Sequence, residues 1–221
     1  MARKKIIQTS NYPYHITARS NNHDYFGIDP DTLWNIFNDY LHFLSIAFRV
    51  KTHAFVMMSN HFHLMASFPE SNMHAALNRF MTETSRVINH SRKTVNHTYG
   101  KRHHACLIDN DLYYACAYRY VFQNPVRAEI CQMVEEYPYS SLSGLIGKRR
   151  LDSPVYEYPS SLVPQVDNLE HLLAFLNQPV ALRTADATRK ALHRTRFKFA
   201  GTYLAWTRTH GGSFFAAHHE K

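Results

Sequence analysis

No stretch of the sequence approaches the roughly 18 consecutive apolar residues that a membrane span needs, so no bilayer-spanning segment is expected. The N-terminus, Met1-Ala2-Arg3-Lys4-Lys5-Ile6-Ile7-Gln8, is basic but has no apolar run of signal-peptide length behind it. The chain is therefore expected to stay in the cytoplasm and to have no membrane partner. Cysteine is scarce. Cys106, Cys116 and Cys131 make an odd number without a Cys-x-x-Cys pair, which argues against a disulfide framework or a zinc knuckle and leaves buried free thiols. Neither an internal repeat nor a low-complexity tract is present. Acidic charge is also in short supply: 17 Asp and Glu stand against 25 Lys and Arg, a net charge of +8. A basic chain without a membrane anchor points to a polyanionic partner, with nucleic acid first.

The excess is unevenly placed. Between Arg183 and Arg208 seven basic residues face one acidic residue, Asp186. The 221 residues suffice for one domain with a full core and a C-terminal appendage. With 45% hydrophobic and 19% charged residues, the balance is that of a soluble globular protein.

Periodicity gives the elements. Tyr14, Ile16 and Ala18 alternate with His15, Thr17 and Arg19, as in a strand. Asp29-Pro30-Asp31 supplies an N-cap and a first-turn proline. Leu33, Ile36, Phe37, Tyr40, Leu41 and Leu44 then recur at helical spacing. Lys51 to Met58 and His61 to Phe68 read as a strand pair joined by a tight turn. His74 to His90 predicts a second helix, and His103 to Ile108 a short strand. Asp109 or Asn110 caps a third helix, which Asn124-Pro125 ends because a residue before proline avoids the helical region.

This order predicts an α+β fold, a ferredoxin-like antiparallel sheet with helices packed on it. Residues 1–150 are expected to form that domain, and residues 151–221 a linker followed by a basic helical C-terminal extension. Asn168 to Leu176 and Thr184 to Leu204 read as the helices of that extension.

The candidate chemistry begins with His61-Phe62-His63. Residues two apart on a strand share a face, so both imidazoles project together and suit a divalent metal. In a chain with 16 histidines, about one His-x-His arises by chance, so the pattern carries weight only with its context. Its context is the apolar run Leu64-Met65-Ala66. Tyr120 and Asn124, four apart, share a helical face. A helix laid over the histidine face would bring the Asn124 amide oxygen in as a third ligand, with Tyr120 one turn away. A phenol titrating near 10 is a poor nucleophile at neutral pH, and a phosphodiester repels attack by its own charge. A divalent cation relieves the second problem, and three protein ligands leave positions for phosphate oxygens.

Tyr113, Tyr114 and Tyr118 are rival nucleophiles. Tyr114 and Tyr118 fall off the Tyr120–Asn124 face, and Tyr113 lies about three turns above Asn124. His103 and His104, adjacent on a strand, point to opposite faces.

These residues carry a resemblance. Phe55-Val56-Met57-Met58-Ser59-Asn60-His61-Phe62-His63-Leu64 resembles the strand-turn-strand of the HUH single-tyrosine transposases. Tyr120-Val121-Phe122-Gln123-Asn124-Pro125-Val126-Arg127-Ala128 is similar to their REP-associated branch, as are Tyr14-His15-Ile16-Thr17-Ala18-Arg19-Ser20-Asn21-Asn22 and Tyr137-Pro138-Tyr139-Ser140-Ser141. Tyr99-Gly100-Lys101-Arg102-His103-His104-Ala105 departs from the aromatic and Arg-aromatic pattern usual before the last strand. Related insertion-sequence enzymes carry Gln where this chain has Asn124.

The resemblance implies a sheet with helices on one side. It implies a Mg²⁺ or Mn²⁺ cofactor held by His61, His63 and Asn124, and a Tyr120 nucleophile forming a 5′-phosphotyrosine intermediate. The implied substrate is single-stranded DNA beside a hairpin, as in repetitive extragenic palindromes, cut and rejoined by a bacterial, nucleoid-associated transposase. Arg19, Asn60, Arg127, Lys4 and Arg194 are the expected DNA contacts. Either a monomer or a homodimer is compatible with the resemblance. The alternatives are a domesticated protein that binds DNA hairpins without cleaving them, and a hydrolase using metal-bound water.

Overall fold

The computed structural model describes residues 7–95 and 97–201. The chain runs β1 (Tyr14–Arg19), α1 (Pro30–Ala47), β2 (Lys51–Met57), β3 (His61–Ser67), α2 (Met73–Arg92), β4 (His104–Leu107) and α3 (Asp111–Phe122). The four strands lie in the order β2-β3-β1-β4, and every neighbouring pair is antiparallel. This is the ferredoxin-like arrangement that the periodicity predicts.

Local chemistry sets the element ends. The Asp29 carboxylate accepts from the Thr32 amide at 2.8 Å, with Pro30 in the first turn of α1. Lys93 closes α2 in the left-handed region, at φ 56°. The Asn110 side chain caps α3 by accepting from the Tyr113 amide.

Alternation divides the sheet into two faces. Ile16, Phe55, Phe62, Leu64 and Ala105 point into a core shared with α1 and α2. Phe37 sits at its centre, its ring 5.6–5.8 Å from those of Phe26, Phe55, Phe62 and Phe80. On the other face Ala54, Val56, Met65, Cys106 and Ile108 pack under α3, with Ala117, Val121 and Phe122. Helices therefore cover both faces, not the single face that the family resemblance implies. The physical reason is that β2, β3 and β4 carry apolar residues at both parities, so each face has surface to bury. The two cores leave β1's His15, Thr17 and Arg19 on the α3 face, beside β3's His61 and His63.

The chain continues through α4 (Asn124–Arg127), α5 (Ser141–Leu145), α6 (Leu169–Asn177) and α7 (Leu182–Leu192). Leu172, Leu176, Ala191 and Leu192 join the core beneath α3. Residues 151–166 run beside β2: the Tyr156 amide donates to the Thr52 carbonyl at 2.7 Å, and the rings of Tyr158 and Tyr114 meet at 4.4 Å. His53, at a bulge in β2, fastens this segment by bonding the Tyr156 carbonyl through Nδ1 and Ser67 Oγ through Nε2, both at 2.8 Å.

The helix expected from Thr184 to Leu204 ends at Leu192 instead. The chain turns at His193–Thr195, and beyond it Phe197 and Phe199, two apart, are both buried against Tyr113. The Leu107 amide donates to the Thr195 carbonyl, and the Phe197 amide to the Leu107 carbonyl. A period of two at Phe197-Lys198-Phe199, together with the open edge of β4, outweighs helix propensity there. Leu204 and Arg208 lie outside the described residues.

Candidate active site

A cleft of about 800 Å³ opens where α3 and α7 meet the exposed end of the sheet. His61, His63, Tyr120 and Asn124 all line it, together with Arg19 and Arg127. The period of two in β3 places the two imidazoles on one face, their ring centroids 5.0 Å apart. Helix α3 lays Tyr120 across them, with its ring 6.0 Å from that of His63.

Asn124 arrives by a route the helical spacing only approximates. Helix α3 ends at Phe122, and Asn124 opens the short helix α4. The Asn124 side-chain amide turns back and donates to the Tyr120 carbonyl at 3.0 Å, one of the carbonyls that a helix end leaves without an intrahelical partner. That bond fixes the amide's orientation and leaves Oδ1 to accept from Arg127 Nη2 at 3.1 Å. The same guanidinium lies over the Tyr120 ring, 3.9 Å from its centroid.

Burial sets the charge state of the histidines. His63 is only 6% exposed. Its pKa lies well below the ordinary value, because burial penalises the imidazolium and His15, His61, Arg127 and Arg19 add repulsion. His61 is held to about 4 by burial and by Arg19. Both rings are therefore neutral at physiological pH, the state in which imidazole nitrogen can ligate a metal. His61 Nδ1 meets Asn60 Oδ1 at 2.7 Å, and His63 Nδ1 meets His15 Nε2 at 2.8 Å. This engages one nitrogen of each ring and leaves Nε2 as the other. His63 Nε2 is buried without a partner.

These features fit a divalent cation. Among the described residues no group of three or more His, Cys, Asp and Glu is placed to hold one. A third protein ligand beside the two histidines would have to be of another kind, and the Asn124 side chain lines the same cleft. Its amide oxygen has two lone pairs, so its bond to Arg127 leaves one available.

The remaining expected contacts divide. Arg19 and Arg127 border the cleft. Asn60 does not line it; its amide donates to the His23 carbonyl at 2.8 Å and its oxygen holds His61. Arg194, in the turn after α7, does not line the cleft but a separate groove with Arg183, Lys190 and Lys198. Lys4 lies outside the described residues. The rival tyrosines are occupied elsewhere. Tyr114 and Tyr118 stack on each other inside the core, where burial raises both phenols above their ordinary pKa. Tyr113 packs on Phe197 and Phe199. His103 and His104 do separate: His104 lines the cleft, while His103 lines a neighbouring groove with His74.

Several residues of the site escape a reading from sequence. His15, behind the cleft against His63, is one, although the alternation in β1 already put it on the face of Thr17 and Arg19. Arg189 and His193, from α7 and its end, are others, brought in by a long-range return of the chain. Lys101 and Arg102 complete the basic rim.

No family model matches the chain, and no curated protein matches it. It is similar to a solved structure of a REP-associated tyrosine transposase bound to a REP hairpin. The TM-score is 0.57 and the identity 14%, over 72% of this chain and 96% of that one. The likeness is one of fold: an antiparallel four-stranded sheet with packed helices. Over a quarter of this chain has no counterpart in the match.

Proposed function

We propose that this chain is a metal-dependent single-strand DNA endonuclease and strand transferase of the HUH single-tyrosine type, REP-associated branch, acting beside a DNA hairpin. The observation that carries the reading is the convergence of Tyr120, His61, His63 and Asn124 on one basic cleft. The fold shared with a hairpin-bound transposase supports it. So does the net charge of +8. Among the described residues no helix is long and apolar enough to cross a membrane.

His61, His63 and Asn124 would hold Mg²⁺ or Mn²⁺. A cation held there would supply Lewis-acid polarisation of the phosphate. Arg127 holds the Tyr120 ring in place through its face and ties it to Asn124, so nucleophile and ligand are set by one guanidinium. Arg19, Lys101, Arg102 and Arg189 line the path of a single strand and neutralise its backbone. The Tyr120 oxygen attacks phosphorus as its phenolic proton is lost, the bond to the 3′ oxygen breaks and that oxygen leaves protonated as a 3′ hydroxyl, and a 5′-phosphotyrosine ester keeps the bond energy for rejoining.

Incubation of hairpin-bearing single-stranded DNA with the protein and Mn²⁺ should give a covalent adduct stable to denaturing electrophoresis. Tyr120→Phe should abolish it without weakening hairpin binding. An adduct that persists in that variant rules out the nucleophile. Tight hairpin binding with no adduct on any strand assigns recognition alone, and free 5′-phosphate formed regardless of Tyr120 assigns hydrolysis by metal-bound water.

A further inference from the structure

Two buried imidazoles meet behind the cleft. His15 is 2% exposed, its Nε2 lies 2.8 Å from His63 Nδ1, and the rings are stacked with centroids 5.1 Å apart. Each ring has one nitrogen left over. His15 Nδ1 and His63 Nε2 are both buried and without a hydrogen-bond partner.

A neutral imidazole carries one proton, so the shared bond has two arrangements. In the first, His15 Nε2–H donates, which obliges His63 to carry its proton on Nε2 and removes that lone pair. In the second, His63 Nδ1–H donates to His15, so His63 Nε2 presents a lone pair and His15 carries its proton on Nδ1. Only the second makes His63 a metal ligand. The companion histidine shows the same pattern with no ambiguity. Asn60 Oδ1 can only accept, and the bond from Asn60 Nδ2 to the His23 carbonyl fixes which end faces His61, so His61 Nδ1 carries the proton.

We infer that His15 is a positioning residue for metal binding, which accepts from His63 Nδ1 and so fixes the ring and its tautomer with the Nε2 lone pair free, as Asn60 does for His61. This rests on the proposed metal-binding role of His63. Outer partners of this kind orient ligating histidines, and their loss typically weakens metal affinity about 10- to 100-fold.

The test is Mn²⁺ affinity of the full chain without DNA, by titration calorimetry and by electron paramagnetic resonance of free Mn²⁺. His15→Phe, which keeps bulk but cannot accept, should bind Mn²⁺ about 10- to 100-fold more weakly. His15→Gln, whose amide oxygen accepts, should recover most of that loss. Wild-type affinity in His15→Phe overturns the inference. Failure of the wild type to bind Mn²⁺, or unchanged binding in His63→Ala, overturns the metal reading itself. If His15→Phe does not fold, ¹⁵N shifts of the His63 ring in the metal-free wild type decide the matter: a proton on Nδ1 supports the inference, and a proton on Nε2 overturns it.

Discussion

The Arg127 guanidinium covers the Tyr120 ring at 3.9 Å while donating to the Asn124 amide oxygen at 3.1 Å. One planar cation thus couples the expected nucleophile to an expected ligand. Lysine can supply the charge but not a flat fork that stacks and donates at once. Arg127→Lys should slow adduct formation by about tenfold, the loss of a charged hydrogen bond and part of a cation–π contact. Hairpin affinity should change by less. Single-turnover electrophoresis separates the two, and equal losses in both would mean that Arg127 serves only DNA binding.

The neutral histidines give a pH signature. His15 is held to about 3, and His53 and His61 to about 4, chiefly by burial, against an ordinary value of 6.5. Between pH 6.5 and 4 the unfolded chain therefore binds protons that the folded chain does not. Stability should be complete above about pH 6.5 and fall as pH drops toward 4, each such histidine adding up to about 1.4 kcal/mol per pH unit to the slope. Denaturant midpoints at pH 7, 6 and 5 measure this, and His53→Gln should flatten the slope. Mn²⁺ affinity, by contrast, should fall less steeply between pH 7 and 5 than an ordinary imidazole site would, because burial holds His61 to about 4 and His63 well below the ordinary value.

Helix α7 makes a separate claim. Arg189 lines the cleft, whereas Arg194, just past the end of the helix, lines a separate groove on its outer side. Arg189→Ala should lower the slope of log affinity against log salt by about 0.7 for a single strand, the loss of one phosphate contact. Anisotropy titrations from 50 to 200 mM salt give that slope. A larger effect from Arg194→Ala would put the DNA along the outer side of α7 instead.

The aromatic core offers a control. Phe37 touches four other phenylalanines, and Phe37→Ala should cost about 3–5 kcal/mol. Thermal unfolding should show a large drop in Tm, with Mn²⁺ affinity unchanged at temperatures where the variant remains folded.

What the sequence shows of the site follows from short-range geometry. The shared face of His61 and His63 needs only the period of two, and the nearness of Tyr120 and Asn124 needs only the rise of a helix. The strands, the first two helices and the ferredoxin-like order follow from the same two periods. His15 needs more, because its meeting with His63 depends on the β1–β3 register, which pairs Thr17 with His63 and leaves His15 diagonal to it. Arg189 and Arg194 differ for a related reason. Basic composition reports how much charge the C-terminal segment carries, while packing of α7 on α3 decides which side chain faces the cleft. Helices on both faces are not expected from the sequence, because the family resemblance implies one side; the apolar residues at both parities of β2, β3 and β4 account for the second layer.

The segments beside the outer strands have a consequence for how copies of this chain can associate. On β2 the Thr52 carbonyl accepts from Tyr156, the Phe55 amide donates to Ser141 Oγ, and the Met57 amide donates to the Tyr139 carbonyl. On β4 the Leu107 amide and carbonyl are taken by Thr195 and Phe197. These bonds occupy backbone groups at the end of β4 and along β2 through which a second copy could extend the sheet, the usual route to strand exchange and aggregation. Removal of residues 193–199 would free the Leu107 groups at the end of β4 and favour self-association there.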